Sequence, residues 1–232
     1  MSICTYSLIL LSGGTGTRMN NNIPKQYMML AGKPIIMHTL ERIDKIESID
    51  EIIVVCKQEY KSNIEDYIRN YHLHKKYKIA SAGDTRQESV YNGLCVAGND
   101  KVIIHEAARP FVKTEEFLEL INTKQNNVTY GSPINYTVLT YQNNVIDGIL
   151  QRDKLVNIQL PQKFDKSVLL SCHERAISDK LFFTEDASLV FYYTKENITV
   201  IRGKDYNLKI TTPEDMIVGE KIYKEFSLED MK

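Results

Sequence analysis

Three absences narrow the reading of this chain. No Cys-x-x-C pair occurs: Cys4, Cys56, Cys95 and Cys172 are widely spaced. That excludes a zinc knuckle and a thioredoxin-type motif, and reduced thiols in a cytoplasmic protein are expected. No apolar run approaches the roughly 18–20 residues needed to span a bilayer. The start, Met1-Ser2-Ile3-Cys4-Thr5-Tyr6, has neither a basic n-region nor a cleavage pattern, so neither a membrane partner nor a signal peptide is expected. There is also no surplus of one charge. The 29 Lys plus Arg nearly match the 30 Asp plus Glu, for a formal net charge of −1. A global attraction to nucleic acid is thereby excluded, while a local basic site is not.

What is present is ordinary globular composition, 43% apolar and 25% charged over 232 residues. That suits one domain, 1–232, whose core needs no disulfide or metal staple. Apolar runs alternate with helix-period segments. Tyr6 to Leu11 reads as a buried strand, closed by Ser12-Gly13-Gly14. Ile36, Leu40, Ile43 and Ile46 mark a helix after Pro34. Glu51–Lys57, Tyr77–Ala82 and Lys101–His105 read as strands. Tyr60, Ile64, Tyr67 and Ile68 give one intervening helix, and Val90, Leu94 and Ala97 another. Such alternation predicts an α/β domain with a largely parallel sheet.

Between 129 and 160 the pattern changes to short β-prone pieces and turn residues: Gly131, Pro133, Asn143-Asn144 and Asp147-Gly148. This predicts an antiparallel excursion from the main domain. Val168, Leu169, Cys172 and Ala176 then restore a helix, and Ile198–Arg202 reads as a late strand. Thr212-Pro213-Glu214-Asp215 opens a last helix, with threonine as cap and acids in the first turn.

The chemistry concentrates in Leu11-Ser12-Gly13-Gly14-Thr15-Gly16-Thr17-Arg18-Met19, followed by Pro24-Lys25-Gln26. Glycines directly after a strand let backbone N–H groups approach phosphate oxygens. The spacing is not that of a P-loop, because no Lys-Ser/Thr pair follows the glycines. Nor is it a dinucleotide fingerprint: Gly14-x-Gly16 occurs, but position 19 is Met. Glycines followed by Arg18 and Lys25 set two cations beside a triphosphate, as nucleotidyl transfer requires. Elsewhere His72-x-His74 has no acid-rich cluster beside it and reads as surface histidine rather than a metal site.

The order G-G-x-G-x-R-M, then P-K-Q, resembles nucleotidyltransferases that activate sugar and polyol phosphates. Three further segments sharpen the likeness: Gly83-Asp84-Thr85-Arg86-Gln87-Glu88-Ser89, His105-Glu106-Ala107-Ala108-Arg109-Pro110, and Asn207-Leu208-Lys209-Ile210-Thr211-Thr212-Pro213-Glu214-Asp215. Together they resemble the CTP-dependent branch. It includes 2-C-methyl-D-erythritol 4-phosphate and D-ribitol-5-phosphate cytidylyltransferases. The resemblance implies a three-layer Rossmann-like nucleotide-diphospho-sugar transferase fold with a protruding antiparallel β-arm. It implies transfer of CMP from CTP to an alditol phosphate, with Mg²⁺ carried in on CTP. Arg18, Lys25 and Lys209 would surround the phosphates. Ser12, Gly13, Gly14, Thr15, Gly16, Gly83, Asp84, Arg86 and Ser89 would hold CTP, although Asp84 could equally cap a helix and Arg86 could brace the loop.

On the acceptor side the resemblance implies Glu106 and Arg109, with Arg109 alternatively a structural partner of Glu106. Thr137 and Arg152 lie on the arm, which in the family reaches into a partner in a homodimer. A plain surface hairpin is the alternative there. Two positions depart from the family pattern: Glu106 stands where aspartate is usual, and Leu160 replaces a hydroxyl in the arm's closing Q-T-P-Q. Thr184-Glu185-Asp186 matches a segment opening a helix, its acids supporting the arm and that helix. Ala107-Ala108 leans toward methylerythritol phosphate as acceptor, and so toward isoprenoid precursors. Ribitol 5-phosphate or another polyol phosphate of cell-envelope polymers is the alternative. A nucleotide-binding protein without turnover is a further one, as is a relative using another nucleotide with a sugar 1-phosphate.

Overall fold

Tyr6–Leu11 forms the central strand, β1, and its side chains are buried on both faces of the sheet. The computed structural model describes residues 5–16, 19 and 23–229. After β1 come a small β2–β3 pair (Met29–Leu30, Lys33–Pro34), α1 (Ile35–Asp44), β4 (Ile49–Cys56) and α2 (Lys61–Asn70). Next are β5 (Lys76–Ser81), α3 (Arg86–Val96), β6 (Lys101–Glu106), α4 (Thr114–Asn122) and β7 (Val128–Pro133). β8 (Leu139–Gln142), β9 (Val145–Ile149) and β10 (Val156–Asp165) follow. α5 (Lys166–Asp179), α6 (Asp186–Thr194), β11 (Thr199–Arg202) and α7 (Pro213–Glu229) complete the order.

The main sheet runs β11-β7-β10-β6-β1-β4-β5. β1 is parallel to β4 and β6, and β10 is antiparallel to both its neighbours. Leu8, Leu10, Ile52 and Val54 face one apolar layer, shared with Ile36, Leu40, Ile64 and Phe117 from α1, α2 and α4. Ile9, Ile53 and Val55 face the other, with Val90, Leu94, Leu169 and Val190 from α3, α5 and α6. Burial on both faces is why these strands read as continuous apolar runs rather than alternating ones. A third cluster joins Leu30, Ile35, Phe111 and Ile210 to Met216, Tyr223 and Phe226 of α7. Among the described residues no helix is long and apolar enough to cross a membrane.

The excursion is shorter than the sequence suggests. β7 and β10 belong to the main sheet, and only residues 134–155 leave it. Gly131 is the misleading residue. A Cβ there would lie 2.4 Å from Val156 Cγ2 and 2.9 Å from Val200 Cγ1. It is a site of close strand packing, not a turn. The residues that leave the sheet carry the antiparallel β8–β9 hairpin, turned at Asn143 and Asn144 with φ of 51° and 63°. Positive φ at both central residues matches strand twist.

α4 escapes the periodicity because it is short and buries only Glu116, Phe117 and Leu120. Its ends are fixed by side chains instead. Glu116 Oε2 accepts from the Lys113 N–H at 2.9 Å, and buried Lys163 donates to the carbonyls of Ile121 and Thr123. Thr212 caps α7 as expected: its hydroxyl accepts from Asp215 N–H, whose carboxylate accepts from the Thr211 and Thr212 amides.

His38 is buried in α1, with Nε2 2.8 Å from the Leu30 carbonyl. Burial, only partly opposed by that carbonyl, pushes its pKa from 6.5 down to about 4. The folded state therefore resists a proton that the unfolded chain accepts. Its contribution to stability is full above pH 6.5 and is lost as the pH falls from there toward 4. Chemical denaturation at a series of pH values should show a smaller loss across that window in His38→Gln than in wild type.

Candidate active site

The strand order reverses beside β1: β4 and β5 extend one way, and the later strand β6 lies on the other side. In such sheets ligands bind outside the carboxyl ends of the strands at the reversal. Leu11 and Glu106, the last residues of β1 and β6, are register partners there. A cleft of about 540 Å³ opens at this point. Its walls include Ser12, Gly13, Gly14, Thr15, Gly16, Lys25, Gly83, Asp84, Arg86, Ser89, Glu106 and Lys209. Residues from four distant stretches of sequence therefore meet in one place. Its volume fits a small-molecule ligand.

The glycine loop is shaped from below. Gln26 Nε2 donates to the carbonyls of Ser12 (2.6 Å) and Gly14 (2.9 Å). Tyr27 and Ser12 hydroxyls lie 3.0 Å apart. With those carbonyls tied down, the loop has amides left for a ligand. A Cβ on Gly13 would sit 2.4 Å from Ala82 Cβ, so only glycine fits between loop and β5 end. Gly16 has φ +66° and packs against the backbone of Lys25, which is itself buried in the wall. Arg18 lies outside the described residues.

The second wall is the turn into α3. Thr85, not Asp84, caps this helix: its hydroxyl accepts from Glu88 N–H at 3.0 Å, and Glu88 Oε2 accepts from Asp84 N–H at 2.8 Å. Glu88 thus reaches one residue past the cap to the Asp84 amide, which leaves the Asp84 side chain at the rim. Ser89 Oγ accepts from Gly83 N–H and donates to the Thr85 carbonyl, which fixes the turn. Gly83 has no room for a Cβ, which would lie 2.3 Å from Glu88 Cγ.

Arg86 braces carboxylates. Its guanidinium reaches Asp186 Oδ2 at 2.8 Å, Glu185 Oε1 at 3.2 Å and Glu106 Oε1 at 3.4 Å. Glu106 also meets Lys209 Nζ at 2.8 Å and Arg109 Nε at 3.7 Å. Burial alone would raise the Glu106 pKa; Lys209, Arg86 and Arg109 reverse that and hold it at about 2. Glu106 is thus an anion throughout the neutral range.

Several other expected positions lie elsewhere. Arg109 does not line the cleft; besides Glu106 it binds the Asn207 carbonyl at 3.0 Å. Thr137 and Arg152 are exposed near the β8–β9 hairpin and do not line it either. Arg152 donates to the Asn135 carbonyl. Leu160 is a core residue, packed with Phe164 and Leu169, so its departure from the family pattern is a packing change and not a lost ligand in this cleft. Glu185 caps α6 and Asp186 is buried against Arg86 and His173; both acids serve the helix start and the Arg86 network rather than the hairpin. Gln26, Lys57, Thr85 and Thr211 were not foreseen as cleft residues. Lys57 was discoverable, since it directly follows β4, the strand beside β1.

The family model for 2-C-methyl-D-erythritol 4-phosphate cytidylyltransferase matches residues 6–225. The chain belongs to that family. A Clostridium botulinum 2-C-methyl-D-erythritol 4-phosphate cytidylyltransferase is 36% identical over 93% of this chain and 96% of its own length. The Geobacillus kaustophilus protein of the same name is 34% identical over 94% and 96%. The crystal structure of 4-diphosphocytidyl-2C-methyl-D-erythritol synthase from Anaerococcus prevotii superposes with a TM-score of 0.83 at 28% identity, covering 95% of this chain and 96% of that one. As a cytidylyltransferase family member the chain is a CTP-dependent nucleotidyltransferase. Its three-layer α/β architecture is that of the family's solved structures.

Proposed function

We propose that the chain transfers CMP from CTP to 2-C-methyl-D-erythritol 4-phosphate, giving the CDP-alditol and pyrophosphate. The observation that carries this reading is the meeting of the glycine loop, Lys25 and Lys209 in one cleft that also presents Glu106. The family relatives bear the acceptor's name. An acceptor phosphate oxygen attacks the α-phosphorus of CTP. A new P–O bond forms, the bond to the β-phosphate bridging oxygen breaks, and pyrophosphate leaves with that electron pair. The attacking oxygen is already anionic, so the reaction needs position and countercharge rather than a strong base. Loop amides of Gly13–Gly16, with Lys25 and Lys209, supply these around the phosphates, and the family resemblance gives Arg18 the same role; the Ser12 amide is already donated to the Val55 carbonyl. Gly83, Asp84 and Ser89 face the cytosine, whose amine needs acceptors. Glu106 serves the acceptor side, and Arg109 backs it as a structural partner from outside the cleft.

The reading includes Mg²⁺ that arrives on the nucleotide rather than on a carboxylate cluster of the chain. Among the described residues no group of three His, Cys, Asp or Glu is placed to hold a metal, and Glu106 is already surrounded by cations. Bound there, the ion would neutralise triphosphate charge while keeping several waters.

The reading includes a homodimer built on the β8–β9 hairpin. Tyr136 and Ile149, 83% and 81% exposed, call for a covering surface. Thr137 and Arg152 would then complete the partner's cleft. Mixing inactive Lys209→Ala with inactive Arg152→Ala protein should restore activity, because mixed dimers contain one intact cleft. Absence of restoration would refute the shared site.

The acceptor is tested by pyrophosphate release with CTP and Mg²⁺, comparing 2-C-methyl-D-erythritol 4-phosphate with D-ribitol 5-phosphate. Turnover with the first is expected. Turnover only with the second would move the assignment, and CTP binding without turnover of either would favour a binding protein.

A further inference from the structure

Behind the cleft lies a buried polar chain that the reaction itself does not call on. His173 of α5 is fully buried, and Asp186, the first residue of α6, has a side chain only 2% exposed. His173 Nε2 is 3.1 Å from Asp186 Oδ1, and the other Asp186 oxygen meets Arg86 Nη2 at 2.8 Å. Neither His173 nor Asp186 lines the cleft. Arg86 carries the connection outward: with Nη2 held by Asp186 and Glu185, its planar fork leaves Nε directed at Glu106 Oε1, 3.4 Å away. Glu106 ends the chain at the cleft wall, its second oxygen against Lys209 Nζ.

We infer that His173 and Asp186 are positioning residues for the acceptor subsite, fixing through Arg86 the direction in which the Glu106 carboxylate faces a hydroxylated phosphate acceptor. The inference rests on the acceptor role given to Glu106 above. Two physical points support it. A buried ion pair is no more stable than well-packed apolar residues of the same volume, so stability alone does not account for Asp186 and Arg86. Their polar outlet is also specific, one oxygen of one cleft carboxylate. Glutamate needs this guidance more than aspartate would, because its extra methylene adds a torsion. A cation against each oxygen, Arg86 on one and Lys209 on the other, limits that freedom.

The test is a double-mutant cycle read by steady-state kinetics on the full chain. Asp186→Asn keeps the shape and removes the charge. It is expected to raise the KM for 2-C-methyl-D-erythritol 4-phosphate about tenfold and to lower kcat, with the KM for CTP unchanged within about twofold. In a Glu106→Gln background the same substitution should add nothing, because it acts through Glu106. A fall in melting temperature with an unmoved acceptor KM would overturn the inference. So would equal shifts in both KM values, or additive effects in the cycle. Should Asp186→Asn fail to fold, His173 decides: His173→Gln keeps a donor toward Asp186 and His173→Leu does not. The leucine variant should then show the higher acceptor KM, by about threefold, and equal values overturn the inference. Wild type is run first. No release of pyrophosphate there refutes the acceptor assignment and the relay's acceptor role with it. Release by wild type with unaltered variants refutes the relay alone.

Discussion

Replacing Lys209 by alanine is expected to lower the single-turnover rate of nucleotidyl transfer by about 10²–10³, the cost of losing one aligned charge donor at a transition state. The fold should survive the change. The Lys209 side chain is 40% exposed, so little packing is lost. Glu106 keeps Arg86 and Arg109 after the substitution, so no buried charge is stranded. The loss should therefore appear in the rate and not in the melting temperature. Rapid-quench measurement with saturating CTP separates the two, and an unchanged rate would remove Lys209 from the phosphate contacts.

Arg86→Met should do the reverse and act first on stability. Methionine approximates the bulk but removes a countercharge of Glu106 and Asp186, the two neighbouring carboxylates held ionised; burial pushes the third, Glu185, up to about 7. Stripping one partner from a buried ion pair costs about 3–5 kcal/mol. For a chain of this size that is a fall in melting temperature on the order of 10 °C. The pH dependence gives a second reading. Arg86 and His173 hold the Asp186 pKa below its usual range despite burial. A depressed carboxylate pKa gives stability that is present above the unfolded value and lost as pH falls through the folded one. The gap between wild type and variant should therefore narrow as the solution is acidified below pH 4. Thermal denaturation from pH 7 to 3 checks this, and a constant gap would contradict the ionic account.

What was legible in the sequence follows from chain locality. β1 and its glycine loop, β6 and its Glu106, and the Thr212 cap of α7 are each written in contiguous residues, because an element's end and the adjoining turn are neighbours in sequence. Lys25 and Lys209 were legible as motif residues. What was hidden depends on distant partners. Nothing near Arg86 announces that Glu185 and Asp186, far along the chain, will meet it. Gly131 carries the residue type of a turn, and only Val156 and Val200 across the sheet reveal it as a packing site. Leu160 was read as an altered ligand position because the motif was visible and the core around it was not. Asp84 carries a capping residue type as well as its CTP-binding reading, but the hydroxyl of Thr85 takes the capping role.

Pro133 and Val156 are register partners at the ends of β7 and β10. The chain departs from the main sheet and rejoins it at a single rung, with the β8–β9 hairpin wholly between. Such an insertion is thermodynamically decoupled from the rest, because lengthening or recasting a loop whose ends are already held together changes closure entropy only slowly. The molecule joins a sheet that must keep its strand ends aligned to a projecting module that can be re-fitted without disturbing them.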